Sequence, residues 1–330
     1  MTVIPQTMKQ LIITAPGEVS WADAPVPTPK PDEALVRVNA VSTCPHWDMH
    51  IVDGEPMFAG QELAYPYFPG QPGHEAVGVV MAVGAEVTGL AVGQPVVVWR
   101  DTGEPRQGFY AQFNVFREVD LLPVSDTYQS AQLASLELAM CVEVSFQQLA
   151  PFGGVKGKSV AVAGLGPAGL VAVQLAKHHG ATEVVGIDPV ADRRELAATL
   201  GADALRSGSA EEWVASRSDE EAVDVAIDCT GIAPVVEFLL HRTKQAVALF
   251  GVVRQEIRYS GGLMWGPGVS LVGYGDHNRA AADTAYAAVK AGALDLSALI
   301  STTLPMSDYL KGVEQLREKQ AIKVLFDPWA

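Results

Sequence analysis

Cysteines, basic residues and long apolar runs are all scarce in this 330-residue chain. Its three cysteines (Cys44, Cys141 and Cys229) are too few for a disulfide framework, which predicts a reducing compartment such as the cytoplasm. The net charge of -15 argues against a nucleic-acid partner, because binding to phosphates requires a basic surface. No apolar run reaches the ~20 residues of a membrane span, and the N-terminus lacks signal-peptide features. We therefore expect a cytoplasmic protein with neither a nucleic-acid nor a membrane partner.

The pattern of apolar and turn-forming residues changes about halfway along the chain. Residues 1–142 contain many glycines, prolines and valines in short alternating runs, which predict a β-rich domain. Further along, apolar strand-like runs alternate with helical patterns, which predicts a doubly wound parallel sheet of the α/β class. The chain ends in another strand-like segment, AIKVLFDP. We predict that residues 1–142 and 293–330 form one domain and that residues 143–292 form a dinucleotide-binding domain.

A glycine-rich turn separates the apolar run SVAVAG from a helical pattern, the context that a dinucleotide-binding turn requires. In such a turn the first glycine allows the tight bend, the second lets the backbone approach a pyrophosphate, and the third lets helix and strand pack closely. The N–H groups at the helix start can then bind the anion. The turn fits G-x-G-x-x-G and consists of Gly164, Leu165, Gly166, Pro167, Ala168 and Gly169.

An acidic residue, Asp188, ends the next predicted strand at the spacing expected for a ribose-binding carboxylate. Its charge would repel the 2′-phosphate of NADP, so the sequence favours NAD(H). Arg193 and Arg194 follow closely and could reach the adenosine ribose or a phosphate, with Arg193 as the candidate cofactor contact. NADP(H) therefore stays an alternative.

Several segments resemble those of one enzyme family. GHEAVGVV at 73–80 is similar to G-H-E-x-x-G-x-V, and TCPHWDMH at 43–50 resembles a first metal segment that usually contains C-G-T-D-x-H. DCTG at 228–231 and the ending AIKVLFDP also match. Together with the glycine-rich turn, they make the chain resemble the zinc-dependent medium-chain alcohol/polyol dehydrogenases almost end to end. The resemblance implies a β-rich GroES-like catalytic domain and a Rossmann domain.

The resemblance also implies a catalytic zinc ion with three protein ligands and one open position. Cys44 and His74 are the first two candidate ligands. The third lies in LELAMCVEVSFQQLA, where we favour Cys141 and keep Glu137 and Glu143 as alternatives. The four-cysteine lobe that holds a structural zinc in many relatives is replaced by RDTGEPRQGFYAQF, so we expect one zinc ion per chain and no structural zinc.

Four further residues receive catalytic roles from the resemblance. Glu75 corresponds to a glutamate behind the metal, or else it forms an ordinary salt bridge. Asp48 would orient the zinc-bound His74. His46 replaces the serine or threonine that starts a proton relay, and His50 would be the solvent end of that relay. A histidine at position 46 can transfer protons near neutral pH, although it could instead bind metal or line the pocket.

The implied activity is hydride transfer between an alcohol, or the matching aldehyde or ketone, and NAD(H). A zinc-free NADPH-dependent quinone or enoyl reductase of the same superfamily is one alternative, and a non-catalytic dinucleotide-binding protein is another. The predicted nicotinamide side is formed by Thr230, Gly231, Phe250, Gly251 and Val252.

The substrate and the oligomeric state are less determined by the sequence. A loop at 53–73 is predicted to cover the site. Relatives pair through an edge strand, here 269–275, which implies a homodimer or homotetramer. The aromatic residues that could line the pocket, or pack in the core, are Trp47, Phe58, Tyr110 and Trp265.

Overall fold

The computed structural model describes most of the chain as two compact units. Met1–Glu137 with Leu296–Ala330 forms unit 1, and Leu138–Asp295 forms unit 2. These divisions lie a few residues from the boundaries expected from sequence. The described residues are 4–58, 60, 62–67, 72–100, 108–204, 207–212, 222–266 and 268–330.

Unit 1 is built on a seven-stranded sheet with the order β13-β14-β3-β4-β5-β7, in which β6 pairs with β3. Apart from the parallel pair β13–β14, its strand pairs are antiparallel. A separate antiparallel pair, β1 and β2, precedes the sheet. The strands of unit 1 are β1 (Thr7–Ala15), β2 (Glu18–Pro25), β3 (Glu33–Ser42), β4 (Glu75–Val83), β5 (Pro95–Val98), β6 (Phe113–Arg117), β7 (Leu121–Pro123), β13 (Ile300–Pro305) and β14 (Lys323–Asp327).

The strand register of unit 1 brings the two metal-motif segments to one place. Ser42, the last residue of β3, pairs with Glu75, the first residue of β4. Cys44 follows β3 within two residues, and His74 directly precedes β4, so both leave the sheet at the same end. The helices that belong to this unit are α1 (Pro45–Asp53), α2 (Ser130–Leu133), the start of α3 (Leu136–Gln148) and α9 (Tyr309–Arg317).

Unit 2 contains a five-stranded sheet with the order β12-β11-β10-β8-β9, and all of its pairs are parallel. Four of its strands are largely buried apolar runs, as expected for a parallel sheet covered on both faces, whereas Leu271 of the edge strand β12 is exposed. The predicted doubly wound arrangement is confirmed. The strands are β8 (Ser159–Ala163), β9 (Glu183–Ile187), β10 (Val223–Asp228), β11 (Thr243–Leu249) and β12 (Ser270–Val272).

The helices of unit 2 follow the strands along the chain. Pro167 opens α4, where its fixed φ and missing N–H suit the first turn. Among the helices that the structure describes, none has both the length and the apolarity needed to cross a membrane. They are α4 (Pro167–His178), α5 (Ala191–Thr199), α6 (Ala233–His241), α7 (Gly261–Trp265) and α8 (Arg279–Lys290), and α3 contributes most of its length.

Candidate active site

A cluster of metal-binding side chains lies where β3 ends and β4 begins. The donor atoms of Cys44, His74 and Glu75 all lie within 4.8 Å of one another. A fourth side chain approaches from the start of α3, where Glu137 Oε2 lies 4.0 Å from His74 Nε2. The cluster thus offers a thiol, an imidazole and two carboxylates, all within unit 1.

The thiol of Cys44 is electrostatically suited to a cation. Burial, and secondly the nearby charge of Glu75, raises the pKa of the Cys44 thiol well above its ordinary range. A bound metal ion reverses this effect, because coordination deprotonates a thiol outright. Thiolate, imidazole and carboxylate are the donors that Zn²⁺ takes in proteins, so the residues present fit this ion.

The carboxylate of Glu75 already has a cationic partner. Lys323 Nζ, on β14, lies 2.6 Å and 2.7 Å from the two oxygens of Glu75. Both side chains are almost completely buried, at 0% exposure for Lys323 and 1% for Glu75. Burial raises the pKa of Glu75, and the ammonium of Lys323 opposes this shift. Lys323 was not selected from sequence, although a lysine within the apolar run AIKVLF indicates a buried acidic partner.

The carboxylate of Asp48 is buried behind Cys44. Its Oδ2 accepts hydrogen bonds from the Cys44 backbone N–H at 2.9 Å and the Tyr110 hydroxyl at 3.0 Å, and its Oδ1 accepts one from the Tyr309 hydroxyl at 2.8 Å. Burial raises the pKa of Asp48 to about 7, and these three donors limit the rise. Asp48 therefore acts on Cys44 directly, whereas its role toward His74 stays a prediction.

The two histidines assigned to a proton relay lie on one face of α1. His46 and His50 are four residues apart, and their ring centroids are 4.8 Å apart. Nδ1 of His50 lies 3.1 Å from the Glu55 carbonyl oxygen. Trp47, between them in sequence, packs edge-on against His74 with a centroid separation of 6.4 Å. The relay pair and the metal cluster therefore belong to the same part of unit 1.

The three candidates for the third ligand all lie on α3. Glu137 lies beside His74, as described above. Glu143 lies further along α3, where its Oε2 is 2.7 Å from His179 Nε2. Cys141 belongs to unit 2, and its Sγ lies 3.5 Å from His277 Nε2. Within unit 1, the geometry thus favours Glu137, while the predicted role of Cys141 as a ligand stays a prediction.

The three glycines of the glycine-rich turn in unit 2 differ in backbone conformation and in the space around them. Gly164 has φ +84°, a left-handed conformation that favours glycine. A Cβ added at Gly169 would lie 1.8 Å from the Gly164 carbonyl oxygen, so only glycine fits there. A Cβ at Gly166 would have no protein atom within 4 Å among the described residues, so this position is open toward a ligand.

Asp188 lies just beyond β9, as expected, and holds the glycine-rich turn. Its Oδ2 accepts a hydrogen bond from the Leu165 N–H at 2.8 Å, and its Oδ1 accepts one from the Val190 N–H at 2.8 Å. Arg193 NH1 lies 3.9 Å from Asp188 Oδ2, and Arg194 donates to the Asp188 carbonyl oxygen at 2.7 Å. The sequence-predicted acid and arginine therefore lie together at the turn.

The predicted nicotinamide-side turns are held by a residue that sequence analysis passed over. The buried carboxylate of Asp228 accepts hydrogen bonds from the Thr230 hydroxyl at 2.6 Å and the Gly231 N–H at 3.0 Å. The Asp228 carbonyl oxygen accepts bonds from the N–H groups of Phe250 and Gly251, both at 2.9 Å. Asp228 thus links the turns after β10 and β11. Its position in the family-like motif DCTG is the sequence feature that could have identified it. Val252 follows in the second turn.

The aromatic candidates for a substrate pocket differ in exposure. Trp47 and Phe58 pack edge to face with a centroid separation of 6.1 Å. Tyr110 is a core residue and Trp265, in unit 2, is 93% exposed. Parts of the predicted covering loop and of the segment replacing the structural-zinc lobe lie outside the described residues.

The structure thus combines a β-rich unit that carries a thiol–imidazole–carboxylate cluster with a unit built on a dinucleotide-type parallel sheet. These two features are typical of metal- and dinucleotide-dependent oxidoreductases. Comparison with known proteins gives the family. Residues 30–126 match the family model for the alcohol dehydrogenase GroES-like domain, and residues 167–288 match that for zinc-binding dehydrogenases. The chain belongs to the zinc-dependent medium-chain dehydrogenase family, and the predicted GroES-like and Rossmann architecture is confirmed.

Individual relatives resemble the chain over nearly its full length. L-threonine 3-dehydrogenase of Caldanaerobacter subterraneus subsp. tengcongensis is 28% identical over 92% of this chain and 93% of the relative. D-arabinitol dehydrogenase 1 of Uromyces fabae is 23% identical over 98% of each chain. A Sinorhizobium meliloti 1021 protein, described as a zinc-binding dehydrogenase and solved with NADP bound, shares the fold with a TM-score of 0.84, 23% identity and coverage of 98% and 100%.

Proposed function

We propose that this chain is a zinc- and NAD(H)-dependent oxidoreductase that interconverts a small alcohol and its aldehyde or ketone. The observation that carries the proposal is the cluster of Cys44, His74 and Glu75, whose donor atoms lie within 4.8 Å of one another. Relatives named for L-threonine and D-arabinitol support a small polar alcohol as the substrate class.

The proposed zinc ligands are Cys44, His74 and Glu137. Glu137 is preferred to the sequence-favoured Cys141 because it lies 4.0 Å from His74 within the same unit. Glu75 is not assigned as a ligand, because both of its oxygens already bond to Lys323, and it would act as the carboxylate next to the metal. When bound, zinc supplies Lewis acidity to a substrate oxygen at the open coordination position.

Side chains of α1 would accept the proton that leaves the substrate hydroxyl and transfer it to solvent. His46 is half of a pair whose rings lie 4.8 Å apart, so its imidazole can accept this proton and pass it to His50. His50, whose Nδ1 faces the Glu55 carbonyl, would release the proton to solvent.

The proposed cofactor preference depends on Asp188. The nicotinamide cofactor, when bound, supplies the hydride acceptor or donor. The Asp188 carboxylate lies at the glycine-rich turn, where it would repel a 2′-phosphate. The guanidinium of Arg193 lies 3.9 Å from that carboxylate. Because the Asp188 carboxylate offsets the positive charge of Arg193, the arginine would bind a 2′-phosphate more weakly. These contacts support NAD(H), with Thr230 and the turn at 250–252 beside the nicotinamide.

Two further proposals concern assembly and location. β12 is an edge strand of the five-stranded sheet, and an exposed edge can pair with a second copy to form a homodimer or a dimer-based tetramer. The full sequence has only three cysteines, too few for a disulfide framework, which favours a reducing, cytoplasmic environment.

The test combines metal analysis with a cofactor screen. Purified protein should contain about one zinc ion per chain and turn over small polar alcohols with NAD⁺ faster than with NADP⁺. Glu137→Gln should lower zinc content, whereas the matched variant Cys141→Ser should retain zinc. Zinc loss in Cys141→Ser alone would restore Cys141 as the third ligand. A zinc-free protein that reduces quinones or activated alkenes with NADPH would contradict the proposal.

A further inference from the structure

The buried carboxylate of Asp48 connects three distant segments of unit 1. Tyr110 lies just before β6, Tyr309 begins α9, and Cys44 precedes α1. Each donates one hydrogen bond to Asp48, at 3.0 Å, 2.8 Å and 2.9 Å respectively. Asp48 therefore holds the Cys44 backbone from one side while two phenols hold Asp48 from the other.

We propose that Tyr110 and Tyr309 are positioning residues for the metal centre, which act through Asp48 on the backbone of Cys44. The inference rests on the zinc site of the proposed function and adds two residues to it. Both hydroxyls donate to the Asp48 carboxylate, and neither tyrosine is proposed as a zinc ligand. Their role is to fix the Asp48 carboxylate, so that Cys44 presents its sulfur in one position.

The two phenol rings can perform this role because packing fixes them. Both are fully buried, and their centroids lie 5.2 Å apart in an edge-on arrangement. Phe326 of β14 packs against both rings, with centroids 5.7 Å from Tyr110 and 5.5 Å from Tyr309. Rings packed on several sides cannot turn their hydroxyls away, so each oxygen has a defined position relative to Asp48.

The hydrogen bonds to Asp48 also act on the start of α1. Cys44 is the residue that caps α1, and its carbonyl oxygen accepts a bond from the Asp48 N–H at 2.9 Å. The Asp48 carboxylate in turn accepts a hydrogen bond from the Cys44 N–H. Both the N–H and the carbonyl oxygen of Cys44 are therefore bonded to Asp48. Removing one phenol leaves a buried carboxylate with one donor fewer, and the carboxylate can then shift and release Cys44.

The test measures zinc release from the full-length, zinc-loaded protein to a chromogenic chelator. Tyr110→Phe and Tyr309→Phe each remove one hydroxyl and keep the ring, and each should release zinc about tenfold faster than the wild type. Tyr65→Phe is the matched control, because the Tyr65 hydroxyl donates to the Ile51 carbonyl of the same helix and not to Asp48. It should release zinc at nearly the wild-type rate.

A double-mutant cycle separates positioning from a general loss of packing. In an Asp48→Asn background, Tyr309→Phe should change the zinc-release rate by only about twofold, because the charged acceptor is already gone. Equal effects in both backgrounds, or an equal effect of Tyr65→Phe, would overturn the inference. If the wild type binds zinc and both tyrosine variants release it at the wild-type rate, this inference alone is refuted. If the wild type binds no zinc, the proposed function is refuted together with this inference.

Discussion

Replacing Lys323 with methionine should destabilise unit 1 substantially while leaving its shape nearly unchanged. Methionine fills a similar volume, but it removes the ammonium that lies 2.6 Å and 2.7 Å from the oxygens of Glu75. Neither side chain is accessible to solvent, so Glu75 would become a buried anion without its cation. Breaking one partner of such a pair typically costs about 3–5 kcal/mol, and we expect a loss in that range.

The measurement is the free energy of unfolding in urea, for chelator-treated protein at several pH values. Burial already raises the folded-state pKa of Glu75, and losing Lys323 raises it further. The folded variant then binds a proton more readily than the unfolded chain does. The loss of stability should therefore be smallest below the pKa of an unfolded glutamate, about 4.3, and should grow as the pH rises through the raised folded-state pKa.

The double variant Lys323→Met/Glu75→Gln supplies the control. It removes the buried charge together with its partner, so it should recover most of the stability that Lys323→Met loses. A Lys323→Met protein that unfolds at the wild-type urea concentration at neutral pH would refute the reasoning. So would a loss that is independent of pH, because it would point to packing and not to charge.

Three further predictions concern the cofactor turn and the relay. Gly166→Ala should fold normally but raise the Kd for NAD⁺ about tenfold or more in a fluorescence titration. Gly169→Ala should instead lower the melting temperature, because the added Cβ would lie 1.8 Å from the Gly164 carbonyl oxygen. Equal melting temperatures would contradict this pair. Asp188→Ala should lower the ratio of kcat/KM for NAD⁺ to kcat/KM for NADP⁺. An unchanged ratio would show that Asp188 does not select the cofactor. His46→Ala should lower kcat roughly 100-fold with zinc content intact, and loss of zinc would make His46 a ligand.

The local motifs could be predicted because their chemistry is carried by neighbouring residues. The glycine-rich turn needs only a strand before it and a helix after it, and both can be recognised from hydrophobic periodicity. Cys44 and His74 were proposed together because TCPHWDMH and GHEAVGVV resemble the metal segments of the family, and the fold places both residues within two positions of a strand end. Asp188 was found in the same way, from its distance to the turn.

The third ligand could not be determined in this way. Glu137 and Cys141 are four residues apart on α3, so they lie on the same face of one helix, one turn apart. Counting back from the glycine-rich turn cannot decide between two such positions, because the length of the intervening turn is not known from sequence. The proposal of Glu137 rests on its 4.0 Å approach to His74, a contact between segments 63 residues apart in sequence.

The buried polar partners of the site were also beyond sequence analysis. Lys323 pairs with Glu75 across 248 residues, and Tyr309 bonds to Asp48 across 261 residues. Tyr110 was expected either to line the pocket or to pack in the core, and it is a core residue whose hydroxyl donates to Asp48, a partner that the sequence does not indicate. A sequence indicates that a buried charge needs a partner, but only the fold shows which residue is adjacent.

The most direct test of the account is the zinc content per chain of Cys44→Ser compared with the wild type, measured by plasma mass spectrometry. We predict about one zinc ion per wild-type chain and almost none in the variant, because Cys44 supplies the thiol of the cluster. Equal zinc content in both proteins, or none in the wild type, would contradict the proposed metal centre.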